Sequence, residues 1–192
     1  MPEVVEVEKM RERMIRCALA LFTERGYEGA SIGMIASKLG VAKSAVSYHF
    51  RTKEDLLDAV VTPALSDLDA YFEKFGNGPL RPARRREAIT EWVQLMVKHR
   101  ALLGFLAKEG ERERPEPGLS RWTSMAERVT QSFGGGGPEP SERVYLAAAI
   151  RGLALVPAMF PEAGDDELLQ HLLRFAEDTL GRRRRRTPET RV

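Results

Sequence analysis

The chain has 192 residues, of which 43% are apolar and 30% charged, a balance that suits one globular unit with a sizeable core and excludes a disordered tail or fibrous repeat. No apolar run approaches the roughly 20 residues that span a bilayer, the acidic opening Met1-Pro2-Glu3 lacks the layout of a signal peptide, and the single cysteine, Cys17, excludes a disulfide framework; a cytoplasmic protein is expected. The net charge of +2 conceals a division: residues 1–8 carry −3, residues 9–53 carry +6, residues 54–180 carry −6 and residues 181–192 carry +5. Any polyanionic partner therefore belongs to the basic ends rather than to the acidic body.

Helical periodicity runs through the whole chain and no alternating stretch argues for a sheet, so the expected fold is all-α. From Lys9 to Arg25 the apolar positions Met10, Met14, Cys17, Ala18, Leu21 and Phe22 mark one face, and Gly26 is the expected stop. Ser31 stands at an N-cap position ahead of Ile32, Ile35, Ala36 and Leu39. Gly40-Val41 interrupts that helix, Ala42 to His49 forms a third, and Thr52 caps a fourth with Asp55 completing a capping box. Pro63 lies inside the fourth helix, where a kink or a fresh start is expected. Gly76-Asn77-Gly78-Pro79 closes it.

A long helical stretch from Pro82 to Gly110 follows, with a break expected between His99 and Gly104, then a proline-bearing loop over Glu111 to Gly118. Leu119 to Phe133 reads as an amphipathic helix and Gly134 to Gly137 with Pro138 and Pro140 as a linker. Two last helices are expected over Ser141 to Met159, capped by Ser141, and over Asp165 to Leu180, whose acidic first turn suits the positive end of the helix dipole. The Arg182 to Arg186 run then reads as a solvated, disordered tail, residues 182–192 in all.

The segment 31–50 is the informative one. Two short helices joined by a glycine-containing turn make a helix-turn-helix, whose second helix enters the major groove of double-stranded DNA. Ile35, Ala36, Leu39, Val41, Val46 and Phe50 pack inward, leaving Lys43, Ser44, Ser47, Tyr48 and His49 outward. Lys43 and Ser44 are placed for base edges or phosphates, Tyr48 and His49 for phosphate oxygens, and Lys53 supplies charge beside them. Ser31, Ile32 and Ala45 complete the candidate DNA-binding set.

These residues closely resemble the TetR family of bacterial transcriptional regulators. The likeness rests on Ala18-Leu19-Ala20-Leu21-Phe22, Gly26-Tyr27, Ser31, Ile35-Ala36, Gly40-Val41, Val46, Tyr48-His49-Phe50 and Lys53-Glu54-Asp55-Leu56, over about residues 10 to 60. Ala42 departs from the capping serine or threonine common in the family, Ser44 from a frequent glycine, and Ser47 from a frequent tyrosine. The resemblance implies a helix-turn-helix DNA-binding domain at 9–68 and a helical ligand-sensing and dimerisation domain at 69–181. It also implies a homodimer, most often a repressor, released from a palindromic operator by a small-molecule effector.

In the body, Trp92, Met96, Phe105, Leu106, Trp122, Met125, Phe133, Met159 and Phe160 form a candidate apolar lining for such an effector. The two terminal helices can pair with their symmetry mates as a four-helix bundle. No cofactor is implied, and no spacing of His, Cys or carboxylates suggests a metal. A regulator without small-molecule input would share the head and differ in a tightly packed body. An all-α enzyme or ligand carrier would differ more, but the sequence shows no nucleophile–base motif and no glycine-rich phosphate loop.

Overall fold

The computed structural model describes residues 2–76, 80–109, 128–129, 131–133 and 140–181. Eight α-helices have defined bounds among these residues: α1 (Pro2–Gly29), α2 (Ile32–Leu39), α3 (Lys43–His49), α4 (Lys53–Phe75), α5 (Pro82–Lys98), α6 (Arg100–Glu109), α7 (Pro140–Met159) and α8 (Asp165–Ala176), with a π-helical turn over Glu177–Gly181 closing α8; residues 128–129 and 131–133 are helical as well. Among the described residues there is no strand, and no helix is long and apolar enough to cross a membrane.

The head is built by local signals. Ser31 is extended and its hydroxyl accepts from the Met34 amide at 3.3 Å, which starts α2. Gly40 ends it in the left-handed region at φ 68°, a conformation that glycine adopts without Cβ strain, and this turn delivers the chain into α3. Thr52 and Asp55 exchange hydrogen bonds at 3.0 and 3.1 Å in the expected capping box and launch α4. Helix α1 begins earlier than its apolar periodicity suggested. Gly26 does interrupt it, at φ 73°, ψ 166°, but helical turns resume as far as Gly29.

Pro63 does not end a helix. Helix α4 runs as one element from Lys53 to Phe75 because Leu57, Val60, Val61, Ala64, Leu65 and Leu68 on either side of the proline are all buried, and tertiary packing outweighs one missing backbone bond. Position 68 thus falls within a helix that continues from head to body. Ser141 is not the cap expected of it, because α7 already starts at Pro140, and α8 gives way to the π-helical turn after Ala176.

The core is continuous. Met14, Phe22, Ile35, Val46 and Leu56 of the head belong to the same buried cluster as Ile89, Trp92, Met96, Leu103, Phe105, Ile150 and Leu153 of the body. Helix α1 packs on α6 and α4, α6 on α7, and α5 on α7 and α8. Arg85 of α5 ties these layers together, donating to the carbonyls of Leu180 at 2.6 Å and Phe133 at 3.1 Å.

The expected break near His99 is observed, and Asp67 of α4 holds it: its Oδ2 lies 2.6 Å from Lys98 Nζ and 2.7 Å from His99 Nε2. Partial burial pushes the Asp67 carboxyl upward, but the hydrogen bonds from Lys98 and His99 outweigh it and hold the group below its ordinary value. A depressed carboxyl adds stability above its unfolded pKa and loses it as pH falls through the folded value. Asp67→Asn is therefore expected to lower stability by about 1 kcal/mol at pH 7. In urea titrations that difference should close as pH falls below about 4; a difference that persisted at low pH would remove the charge from the account.

Candidate nucleic-acid interface

Helix α3 is held by its inner side. Val46 and Phe50 are fully buried, and the guanidinium of Arg11 stacks over the Phe50 ring at 5.3 Å, fixing the end of α3 to α1. Because residues three and four apart share a helical face, burying Val46 and Phe50 turns Ser44 and Tyr48 to the other side, with Ser47 at the flank and Lys43 at the open first position of the helix. Lys43 and Ser44 are exposed, Ser47 is half-buried, and Tyr48 is 82% exposed, held edge-on against His49 with centroids 5.3 Å apart. A large aromatic left this open on a short polar helix is available to a partner. Ala45 and His49 are half-buried along the margin of the same face, and Ser31 and Ile32 sit at the start of α2, Ser31 exposed and Ile32 half-buried.

Lys53 departs from the expectation that its ammonium stands free beside this face. It donates to the Tyr27 carbonyl at 3.1 Å, lies 4.1 Å over the Tyr27 ring and pairs with Glu28 at 3.5 Å. The reason is tertiary: the tight turn over residues 50–52 brings the first residue of α4 back against the end of α1.

Residues 15–60 match the family model described as bacterial regulatory proteins, tetR family. The head of the chain carries the tetR-family domain. It is 37% identical over 67 residues to the HTH-type transcriptional regulator SrpR of Pseudomonas putida, covering 35% of this chain and 32% of that protein. It is 41% identical over 56 residues to the class C tetracycline repressor protein of Escherichia coli, covering 29% and 26%. In sequence, then, the chain spans about a third or less of the length of these relatives. The likeness in fold is wider: the structure of the ketosteroid transcriptional regulator KstR2 of Mycobacterium tuberculosis superposes with a TM-score of 0.70 over 90% of this chain and 93% of that one, at 19% identity. The stretch shared in sequence is the helix-turn-helix head; the body is shared as a fold.

The candidate lining of the body divides. Trp92, Met96, Phe105, Leu106 and Phe133 are buried. Met159 and Phe160 are not interior residues, being 69% and 47% exposed, because α7 turns its other face, with Ala149, Ile150 and Leu153, to the core. Trp122 and Met125 lie outside the described residues. One polar atom stands out in this interior: Trp92 is 1% exposed and, among the described residues, its indole Nε1 meets no hydrogen-bond acceptor, an arrangement that costs roughly 1–3 kcal/mol. Among the described residues no cluster of His, Cys, Asp or Glu has the makings of a metal site.

One residue at the seam of head and body, Glu109, is not singled out by the sequence. Glu109 is 5% exposed, and its Oε1 accepts from the Tyr27 backbone N–H at 3.1 Å. A signal existed, since Glu109 continues the apolar stripe Leu102, Phe105, Leu106 at the next helical step, where an acid is out of pattern.

Proposed function

We propose that this chain is a DNA-binding transcriptional regulator, most often acting as a repressor, that reads a palindromic operator as a homodimer and is released by a small molecule. The observation that carries the reading is the exposure of Lys43, Ser44 and Tyr48 on α3, with Ser47 half-buried beside them, presented by a buried α2–α3 scaffold and matched in sequence to relatives named as a transcriptional regulator and a repressor. In this reading α3 lies in the major groove, Lys43 and Ser44 meet base edges or phosphates, and Tyr48 and His49 donate to the backbone. Residues 9–68 then serve as the DNA-reading unit and residues 69–181 as the sensing and dimerising unit, although α4 is common to both.

Dimerisation is supported by the outer surfaces of α7 and α8. Val144, Leu155 and Met159 follow one another at steps of eleven and four along α7, and Tyr145 of α7, Phe160 beyond it and Phe175 of α8 add further exposed apolar area. A second copy related by a two-fold axis would cover this surface. Effector binding is supported by Trp92, whose buried indole N–H lacks, among the described residues, the acceptor that a ligand oxygen or nitrogen would supply.

Selection of duplexes from a random DNA library, followed by footprinting, tests the assignment. The expected product is an inverted repeat whose half-sites lie about one helical turn or a multiple of it apart, some 34–36 Å centre to centre for one turn. Enrichment of no sequence, or of single-stranded DNA, would refute it. The effector is approached separately by thermal-shift screening of a small-molecule library. Compounds that stabilise the wild type are expected to act less on Trp92→Phe, which keeps the ring but not the donor; equal shifts for both proteins would exclude Trp92 from the ligand site.

A further inference from the structure

Helix α6 is clamped to the body at one end and to the head at the other. At its start, Arg100 donates to the Ala163 carbonyl at 2.8 Å and pairs with Asp165 at 3.2 Å, joining α6 to the loop between α7 and α8. In its middle, a Cβ added at Gly104 would lie 3.1 Å from that of Ala158, so α6 and α7 cross with little room to slide. At its end are Lys108 and Glu109. Ten residues of helix make a rod of about 15 Å between these attachments.

What the far end holds is a broken turn. The Gly26 conformation, φ 73° and ψ 166°, takes the Tyr27 N–H away from Thr23 O, its partner in an unbroken helix. Consecutive residues of α6 reach both groups: Glu109 Oε1 accepts from Tyr27 N at 3.1 Å, and Lys108 Nζ approaches Thr23 O at 3.5 Å. Beneath this link the Phe22 ring stacks on Phe105 of α6, centroids 5.6 Å apart, and meets the Tyr27 ring at 5.5 Å. The next peptide, Tyr27–Glu28, faces α4: the Tyr27 carbonyl accepts from Lys53 Nζ at 3.1 Å while the same ammonium lies over the Tyr27 ring at 4.1 Å. Lys53 is the first residue of α4, three residues beyond Phe50 and the end of α3.

We propose that Glu109, Tyr27 and Lys53 form a relay in which residue Tyr27, gripped by α6 on its N–H and by α4 on the carbonyl of its following peptide, transmits the position of α6 in the body to the α3–α4 junction. Glu109 and Lys53 are positioning residues in this scheme: neither needs to touch DNA for its loss to move the recognition helix. A shift of α6 draws on the Tyr27 amide, and the ammonium that follows its carbonyl reseats the start of α4. The relay extends the DNA-reading assignment of α3 and rests on it for its consequence, though not for its existence.

Hydrogen exchange on the full-length protein without DNA tests the relay directly. Glu109→Ala is expected to speed exchange of the Tyr27 amide about tenfold or more and to speed exchange in the segment 50–57, leaving Leu168–Ala176 of α8 unchanged. Glu109→Gln, which keeps an acceptor oxygen, should lie closer to the wild type. Unchanged exchange over 50–57, or a uniform rise across the whole chain in both variants, would overturn the proposal.

The second arm is a double-mutant cycle on the duplex that the wild type selects. Glu109→Ala and Lys53→Met, the latter keeping the aliphatic stem over Tyr27, are each expected to weaken binding about tenfold. Together they should weaken it little more than the stronger single change; multiplied losses would mean that the two residues act independently and would sink the relay. If Glu109→Ala does not fold, Glu109→Gln replaces it in the cycle. Failure of the wild type to select any duplex would count against the DNA-reading assignment alone, and the exchange measurements would then decide the relay.

Discussion

Combined replacement of Lys43, Ser44 and Tyr48 by alanine is expected to weaken operator binding on the order of a hundredfold or more, each lost base or phosphate contact being worth about 1–3 kcal/mol. All three side chains are exposed, whereas Val46 and Phe50, which hold α3 in place, are untouched. Helix content and the thermal midpoint should therefore stay near wild type. The components are separable by salt. Removing Lys43 should flatten the dependence of log affinity on log salt by about 0.9 if it neutralises one phosphate, while Ser44→Ala, which removes a hydroxyl and no charge, should leave that slope unchanged. Wild-type affinity in the triple variant, measured on the selected duplex, would exclude this face as the DNA-reading surface.

The second large effect is on stability. Phe22→Ala is expected to cost about 3–5 kcal/mol, a large part of the roughly 5–15 kcal/mol that holds a typical domain folded. Phe22 is 1% exposed and lies between the Tyr27 and Phe105 rings, so its removal opens a cavity where α1, the end of the head, meets α6 of the body. The surrounding rings belong to two separate helices, α1 and α6, and cannot collapse freely into the gap. Because the core is continuous, the loss should appear as one lowered unfolding transition in urea. Head and body unfolding in separate steps would show that this contact does not join them. A loss below about 1 kcal/mol would contradict the packing at this site.

The head was legible because its instructions are local. Ser31, Gly40, Thr52 and Asp55 act through backbone groups three or four residues away, and their caps and turn appear where the sequence places them. The outward face of α3 was legible for a related reason: once Val46 and Phe50 are inside, helical geometry leaves little choice for Ser44 and Tyr48, which lie opposite them. Of the two outcomes expected at Pro63, a kink or a fresh start, the fresh start does not occur, because α4 is buried on both sides of the proline. Met159 and Phe160 were misread because an apolar side chain on a helix does not disclose whether its cover is its own core or another surface.

By itself, then, the sequence determined the all-helical fold, the helix-turn-helix and the division of charge between a basic head and an acidic body, since all of these follow from residue types and short-range spacing. The tertiary structure decided which charges are engaged within the chain. Lys53 reads as a surface cation and is occupied by Tyr27 and Glu28; Glu109 reads as the end of a helix and is buried 82 residues away in sequence against the Tyr27 amide. Hydrogen bonds of this kind depend on where two distant helices cross, and that crossing is set by the summed packing of the core rather than by the residues that make the bond.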